Sequence, residues 1–228
     1  MKKLLLLLMI VPMIGFGQTA EEYFDKAYNS SDYQYKIDNY TKCLRIDPDY
    51  AIAYFNRGVA YDNLGNHEDA IADYTRAIRI NPDYADAYYN RGISYGKLGN
   101  HEDAIADFTR AIRINPDYID AYNNRGVAYK KLGNYEDAIA DYIRAIRIDP
   151  DYAAAYLNRG NAYAKLGNEE DAIADFTRAI RIDPDYALAY ENRGISKENL
   201  GLPYCSDWKR ACDLGYERSC EWYYKQCR

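Results

Sequence analysis

Histidine occurs twice in the 228 residues, as His67 and His101, and before Cys205 the only cysteine is Cys43. The two histidines occupy the same point of an internal repeat, at the start of a helix where an exposed residue is expected. Zinc sites want more ligands, and closer ones. No glycine-rich phosphate loop, serine elbow, HExxH or CxxC motif appears. The expectation is a non-enzyme with no cofactor. A basic excess is missing too: 29 Lys and Arg face 35 Asp and Glu, for a net charge of −6. Nucleic acid is therefore not an expected partner, since phosphate binding rests on cationic side chains releasing counterions. Only one long apolar run is present. It follows Lys2 and Lys3, spans Leu4 to Ile14 and closes on Gly15 and Gly17. Residues 1–17 read as a signal peptide cleaved after Gly17, with an uncleaved anchor as the alternative. The run is shorter than the roughly 20 residues a bilayer span needs, and no cysteine offers a lipid site. The expectation is an exported chain, periplasmic or secreted, with no stable membrane span after cleavage, in a compartment where disulfides persist.

What the chain has in quantity is repetition. Pro48, Pro82, Pro116, Pro150 and Pro184 recur every 34 residues, and such a period signals stacked supersecondary units. The unit at 51–84 reads as two helices. The first runs to Leu64 and ends at Gly65, where a left-handed residue costs glycine least. Asn66 is placed to cap the second, with Asp69 three residues on. In that helix Ala70, Ile71, Tyr74, Ala77 and Ile78 form one apolar stripe. Pro82 and Asp83 stop it. Gly58 sits mid-helix at a cost of about 1 kcal/mol relative to alanine. Its return as Gly92, Gly126, Gly160 and Gly194 implies that a neighbouring element approaches closely there. Tyr54, Tyr61 and Tyr74 fill the remaining space, so most of the 27 tyrosines are packing residues.

The series Tyr54, Gly58, Tyr61, Ala70, Tyr74, Ala77 and Pro82 resembles the signature of the tetratricopeptide repeat family. Four successive units carry it almost complete. The resemblance implies an all-α, right-handed solenoid of about six helical hairpins, four of them strong. Residues 18–48 form a degenerate first repeat, 49–186 the four full ones, and 187–228 a degenerate last repeat with a capping helix. One departure is systematic: the residue before the glycine is arginine (Arg57, Arg91, Arg125, Arg159, Arg193) where the family usually has leucine. Each is matched by an aspartate before the helix-two aromatic (Asp73, Asp107, Asp141, Asp175, Asp207). The pairing suggests bidentate ion pairs. Solvated surface charges are the alternative.

Second helices hardly differ between units, whereas first helices change at a few positions. The second position holds Ile52, Asp86, Asp120, Ala154 and Leu188. The fifth holds Phe55, Tyr89, Asn123, Leu157 and Glu191, and the ninth Val59, Ile93, Val127, Asn161 and Ile195. These share one helical face. An unvarying asparagine stands among them (Asn56, Asn90, Asn124, Asn158, Asn192), able to donate to and accept from a peptide backbone. Family resemblance makes this face the concave groove that binds a segment of a partner protein. A structural hydrogen bond between repeats is the other reading of the asparagines. The varied positions lack lysine and arginine, so an apolar or mildly basic peptide is expected rather than an acidic C-terminus. A structural spacer or a homo-oligomer is the competing class.

Cys205, Cys212, Cys220 and Cys227 admit three pairings. Two cysteines seven apart on one helix lie about 10 Å apart, out of disulfide reach. A crossed pairing needs two hairpin centres. The nested pairing, Cys205–Cys227 and Cys212–Cys220, centres both on Tyr216, beside Gly215. The stretch "RACDLGYERSC" also resembles secreted Sel-like helical repeats, which supports the inner pair. Reduced thiols remain the alternative. Cys43, at an alanine position, reads as a free core thiol.

Overall fold

The structure is a computed structural model and describes residues 18–227. The expected signal peptide lies outside the described residues. Among these the chain is all helix. An N-terminal hairpin, α1 (Ala20–Tyr28) and α2 (Tyr33–Ile46), precedes four full ones: α3 (Ala51–Asn63) with α4 (His67–Ile80), α5 (Ala85–Lys97) with α6 (His101–Ile114), α7 (Ile119–Lys131) with α8 (Tyr135–Ile148), and α9 (Ala153–Lys165) with α10 (Glu169–Ile182). Then come α11 (Ala187–Asn199), α12 (Cys205–Asp213) and α13 (Glu217–Gln226). Each helix packs on the next, and successive first helices also touch: α3 with α5, α5 with α7, α7 with α9, α9 with α11. Second helices do not approach one another to that extent. The stack therefore curves with its first helices on the inner side.

The mid-helix glycines exist for the aromatic of the same unit. A Cβ at Gly126 would lie 2.7 Å from Cε1 of Tyr142, and one at Gly194 2.4 Å from the Trp208 indole. Trp208 thus takes the place that Tyr74 holds in the first full unit. The hairpin turn works differently from the expected cap: Asn66 accepts no side-chain capping bond. Gly65 adopts φ +82°, and the amides of Gly65 and Asn66 reach back to the carbonyls of Asp62 (3.1 Å) and Tyr61 (2.9 Å). This is a Schellman close of the first helix, in which backbone groups do what a side chain was expected to do. Between units an Asx turn serves: Asn81 Oδ1 accepts from the Asp83 amide at 3.2 Å, and Asp47, Asn115, Asp149 and Asp183 repeat the bond.

All five arginine–aspartate pairs form. Arg125 donates Nε and Nη2 to Asp141 at 2.8 and 2.7 Å, and its Nη1 to Thr109 of the preceding unit at 2.8 Å. Each guanidinium so ties a first helix to the second helices on both sides. Arg159 is the exception, because Ile143 stands where its threonine would be. Burial disfavours the Arg125 charge, but Asp141 outweighs it and holds the group above its ordinary value. On the Asp141 side burial dominates and raises the carboxyl. Desolvation and attraction oppose each other here, as is usual for buried pairs.

At the C-terminus the nested disulfides are present. Cys205 pairs with Cys227 and Cys212 with Cys220, with Cα separations of 5.7 and 4.6 Å. They fasten α13 to α12. Trp222 packs on Trp208 at 5.2 Å between ring centroids, whereas Tyr224 is 55% exposed. Beneath α13 lies Glu191, fully buried, which accepts from Arg218 and from Ser219 Oγ at 2.7 Å. At the other end Cys43 is buried in the N-terminal core, as expected. Lys36, at a small-residue position, reaches the Tyr28 carbonyl at 3.2 Å and closes α1. No helix among the described residues is long and apolar enough to cross a membrane.

Candidate functional site

The inner face carries the candidate residues, but close stacking of first helices uses many of them. Tyr84, Tyr118, Tyr152 and Tyr186 begin these helices and lie against the unit before. Phe55 packs between Tyr74 and Tyr84 at 5.8 and 4.9 Å, and Tyr89 between Phe108 and Tyr118 at 5.8 and 4.8 Å. Asn123, Leu157 and Glu191 are buried outright. At the fifth position, therefore, Asn123, Leu157 and Glu191 serve inter-repeat packing, whereas Phe55 and Tyr89 are only half-buried. Asp86 and Asp120 are exposed, yet each accepts a hydrogen bond at 2.9 Å, from Tyr118 and Tyr152 respectively. Burial first, and then the carboxylates, raise those phenols above their ordinary value, so they stay protonated donors. Ile52 stands half exposed near the N-terminal end of the array.

The asparagines form a ladder between repeats. Asn124 Nδ2 donates to the Tyr89 hydroxyl at 2.9 Å, Asn158 Nδ2 to Asn123 Oδ1 at 3.0 Å, and Asn192 Nδ2 to Asn161 Oδ1 at 2.8 Å. Asn56 and Asn90 bond within their own helices, to the carbonyls of Ile52 and Asp86. Each amide retains hydrogen-bonding capacity beyond these contacts.

Two clefts open on this face, and neither was read from the sequence. The first, of about 270 Å³, lies between the second and third full units, floored by Ile93, Phe108, Val127 and Ala128, with Lys97 and Lys131 among its lining residues. The second, of about 520 Å³, reaches from the third unit across the fourth to α11, lined by Lys130, Lys131, Lys165, Asn161, Asn192, Ser196 and Phe176, among others. Lysines therefore border the groove, although the varied positions on which its charge was judged contain none. Half-buried Lys130 is pulled below its ordinary value by burial and by the charge of Lys131. The missed signal was the twelfth position: Asp62, Gly96, Lys130, Ala164 and Glu198 vary as much as any other place in the unit.

His67 is also not the solvent-facing residue expected. Its Nδ1 lies 2.7 Å from Asp62 Oδ1, while Asp62 Oδ2 accepts from Tyr74 at 3.0 Å and Ser94 at 2.7 Å. This knot joins two units. No cluster among the described residues could hold a metal ion.

Three models of the tetratricopeptide repeat match the chain, at 63–99 and 128–167, at 85–118 and 153–186, and at 39–72 and 108–140. Together they cover residues 39–186 without a break, which takes in the four full hairpins. The chain belongs to the tetratricopeptide repeat family. Among solved structures, the MamA protein is similar with 29% identity and a TM-score of 0.69, over 74% of this chain and 93% of that one. A tetratricopeptide repeat protein from Parabacteroides merdae shares the fold at 21% identity and TM-score 0.73, over 91% of this chain and 98% of its own. YrrB, described as a repeat protein with an unusual peptide-binding site, shares it at 24% identity and TM-score 0.65, over 77% and 92%. Tetratricopeptide repeat proteins are in general non-catalytic interaction scaffolds, and the fold of this one makes protein partners the expected ones.

Proposed function

We propose that this tetratricopeptide repeat protein binds an extended segment of a partner protein along the face of its first helices, in the cell envelope or outside the cell. The observation that carries the reading is the pair of clefts on that face, set among residues that differ from unit to unit while the second helices stay nearly identical. A surface whose composition the fold does not dictate is available for recognition. YrrB, of the same fold, has a peptide-binding site. Two disulfides agree with an oxidising compartment, as does the signal-peptide reading of residues 1–17.

The test is crosslinking capture in the producing cell with wild-type protein and two charge variants. Lys131→Glu alters a residue that lines both clefts, and Arg113→Glu alters an exposed residue of a second helix. A partner lost with the first and kept with the second supports the groove. Self-association is the rival, favoured by the exposed Tyr28, Tyr35 and Ile46 of the N-terminal hairpin. Light scattering that finds a stable homo-oligomer, with no partner captured, would replace the groove reading with that one. Amino-terminal sequencing of the exported protein tests the cleavage site.

A further inference from the structure

The twelfth position of each unit varies in step with the helix-two aromatic. In the first and third full units a long or charged residue accompanies tyrosine: Asp62 with Tyr74, and Lys130 with Tyr142. In the second and fourth a small one accompanies phenylalanine: Gly96 with Phe108, and Ala164 with Phe176. The two clefts lie at these second and fourth units and are built from equivalent positions two repeats apart. Their linings differ. The first is floored by apolar side chains. The second presents amides, lysines and Ser196, whose hydroxyl is buried without a partner.

Ser196 is the counterpart of Ser94, which donates to Asp62 of the unit before at 2.7 Å. At the fourth unit that carboxylate is replaced by Ala164. The protein holds a serine hydroxyl and a cleft where its first unit holds a carboxylate. Lys130, Lys131 and Lys165 line this cleft and form no ion pair with any described residue. Against them stands one carboxylate, Glu169, which accepts from Asn199 at 2.6 Å and keeps its second oxygen buried and unpartnered.

We propose that the two clefts bind one extended protein segment, an apolar side chain entering the first and an acidic side chain entering the second. The bound carboxylate accepts from Ser196 as Asp62 does from Ser94. The lysines neutralise it, and the free oxygen of Glu169 accepts a backbone N–H of the segment. First helices pack at about 8–10 Å, so two repeats separate the anchors by about 20 Å. An extended chain rising about 3.3 Å per residue covers that in about six residues. This inference rests on the groove reading above and specifies its ligand.

The test is a phage-displayed library of random twelve-residue peptides, panned on the purified protein, followed by fluorescence anisotropy with the best binder. Enriched peptides are expected to carry an apolar residue and Asp or Glu about six positions apart. Gly96→Leu has room, since no atom lies within 4 Å of a Cβ there, and should weaken the binder roughly tenfold. Ala164→Asp supplies Ser196 with an internal carboxylate and should weaken it roughly tenfold or more. Replacing the peptide's acid by its amide should cost the same factor with wild-type protein and nothing further with Ala164→Asp. If a variant melts early, the peptide-side substitutions still decide. Enriched peptides without the pair, or with Asn or Gln in the acidic place, overturn the proposal. If such peptides are still lost on Lys131→Glu, the groove reading stands without it. No enrichment also overturns the pairing, and the capture experiment then decides the groove reading by itself.

Discussion

Two glycines of one helix make opposite predictions. Gly92 and Gly96 both lie in α5, and both gain helix propensity on substitution by alanine, by about 1 kcal/mol in a helix interior. Gly96 is next to the end of the helix, so its gain is about 0.5 kcal/mol, and a Cβ there meets nothing within 4 Å. At Gly92 the same methyl would lie 2.8, 3.0 and 3.1 Å from three ring atoms of Phe108. That ring is 3% exposed and has Tyr89 against it, so it has little room to retreat. Overpacking of this kind costs about 1–3 kcal/mol. The upper part of that range applies, leaving a net loss of about 1–2 kcal/mol. The two variants should therefore differ by about 2 kcal/mol in opposite directions from wild type, several degrees in melting temperature for a chain of this size. Urea unfolding followed by far-UV circular dichroism measures both, with the slopes compared to confirm that the unfolded states match. In a Phe108→Leu background the Gly92→Ala penalty should shrink or reverse. If Gly92→Ala were as stable as wild type or more so, the close approach of ring and helix would not be the reason for this glycine.

Four further predictions follow from single contacts. Arg125→Ala strands a mostly buried Asp141 and should cost about 3 kcal/mol, whereas Arg125→Met with Asp141→Leu should cost much less; a double-mutant cycle without coupling would refute the pair. Tyr74→Phe removes a bond to Asp62 and should cost about 1 kcal/mol, while Tyr142→Phe removes a buried hydroxyl without a partner and should be neutral or stabilising in thermal melts. Reducing the disulfides should lower the melting midpoint, at roughly 2–4 kcal/mol per bridge, and red-shift tryptophan fluorescence as Trp222 leaves Trp208; unchanged emission would mean that α13 stays docked without them. Cys43 is fully buried and burial pushes its thiol up to about 11, so it should resist a thiol reagent at pH 8 until denaturant is added, and stoichiometric labelling of the native protein would contradict that burial.

Periodicity determined the fold of this chain from sequence alone. A 34-residue repeat of small, aromatic and turn residues has one way to bury its stripes, which is to stack helical hairpins. Helix ends, the role of the mid-helix glycines and the nested cysteine pairs follow from spacing along one or two helices, so they too were legible. Sequence variation alone could not say which face of a first helix is free. Variation placed the fifth position among the candidate groove residues. Stacking buries Asn123, Leu157 and Glu191 there, because residues of neighbouring units meet at places the one-dimensional pattern does not connect. The arginine–aspartate pairs could be suspected from co-occurrence, but only the packed helices place Thr109 on Arg125 and bury Asp141. The clefts are the same case. Gly96 with Phe108, and Ala164 with Phe176, are unremarkable substitutions in a row of letters. Tertiary structure turns each into missing volume at an inter-repeat junction, and strands Ser196 opposite the place where its counterpart finds a carboxylate.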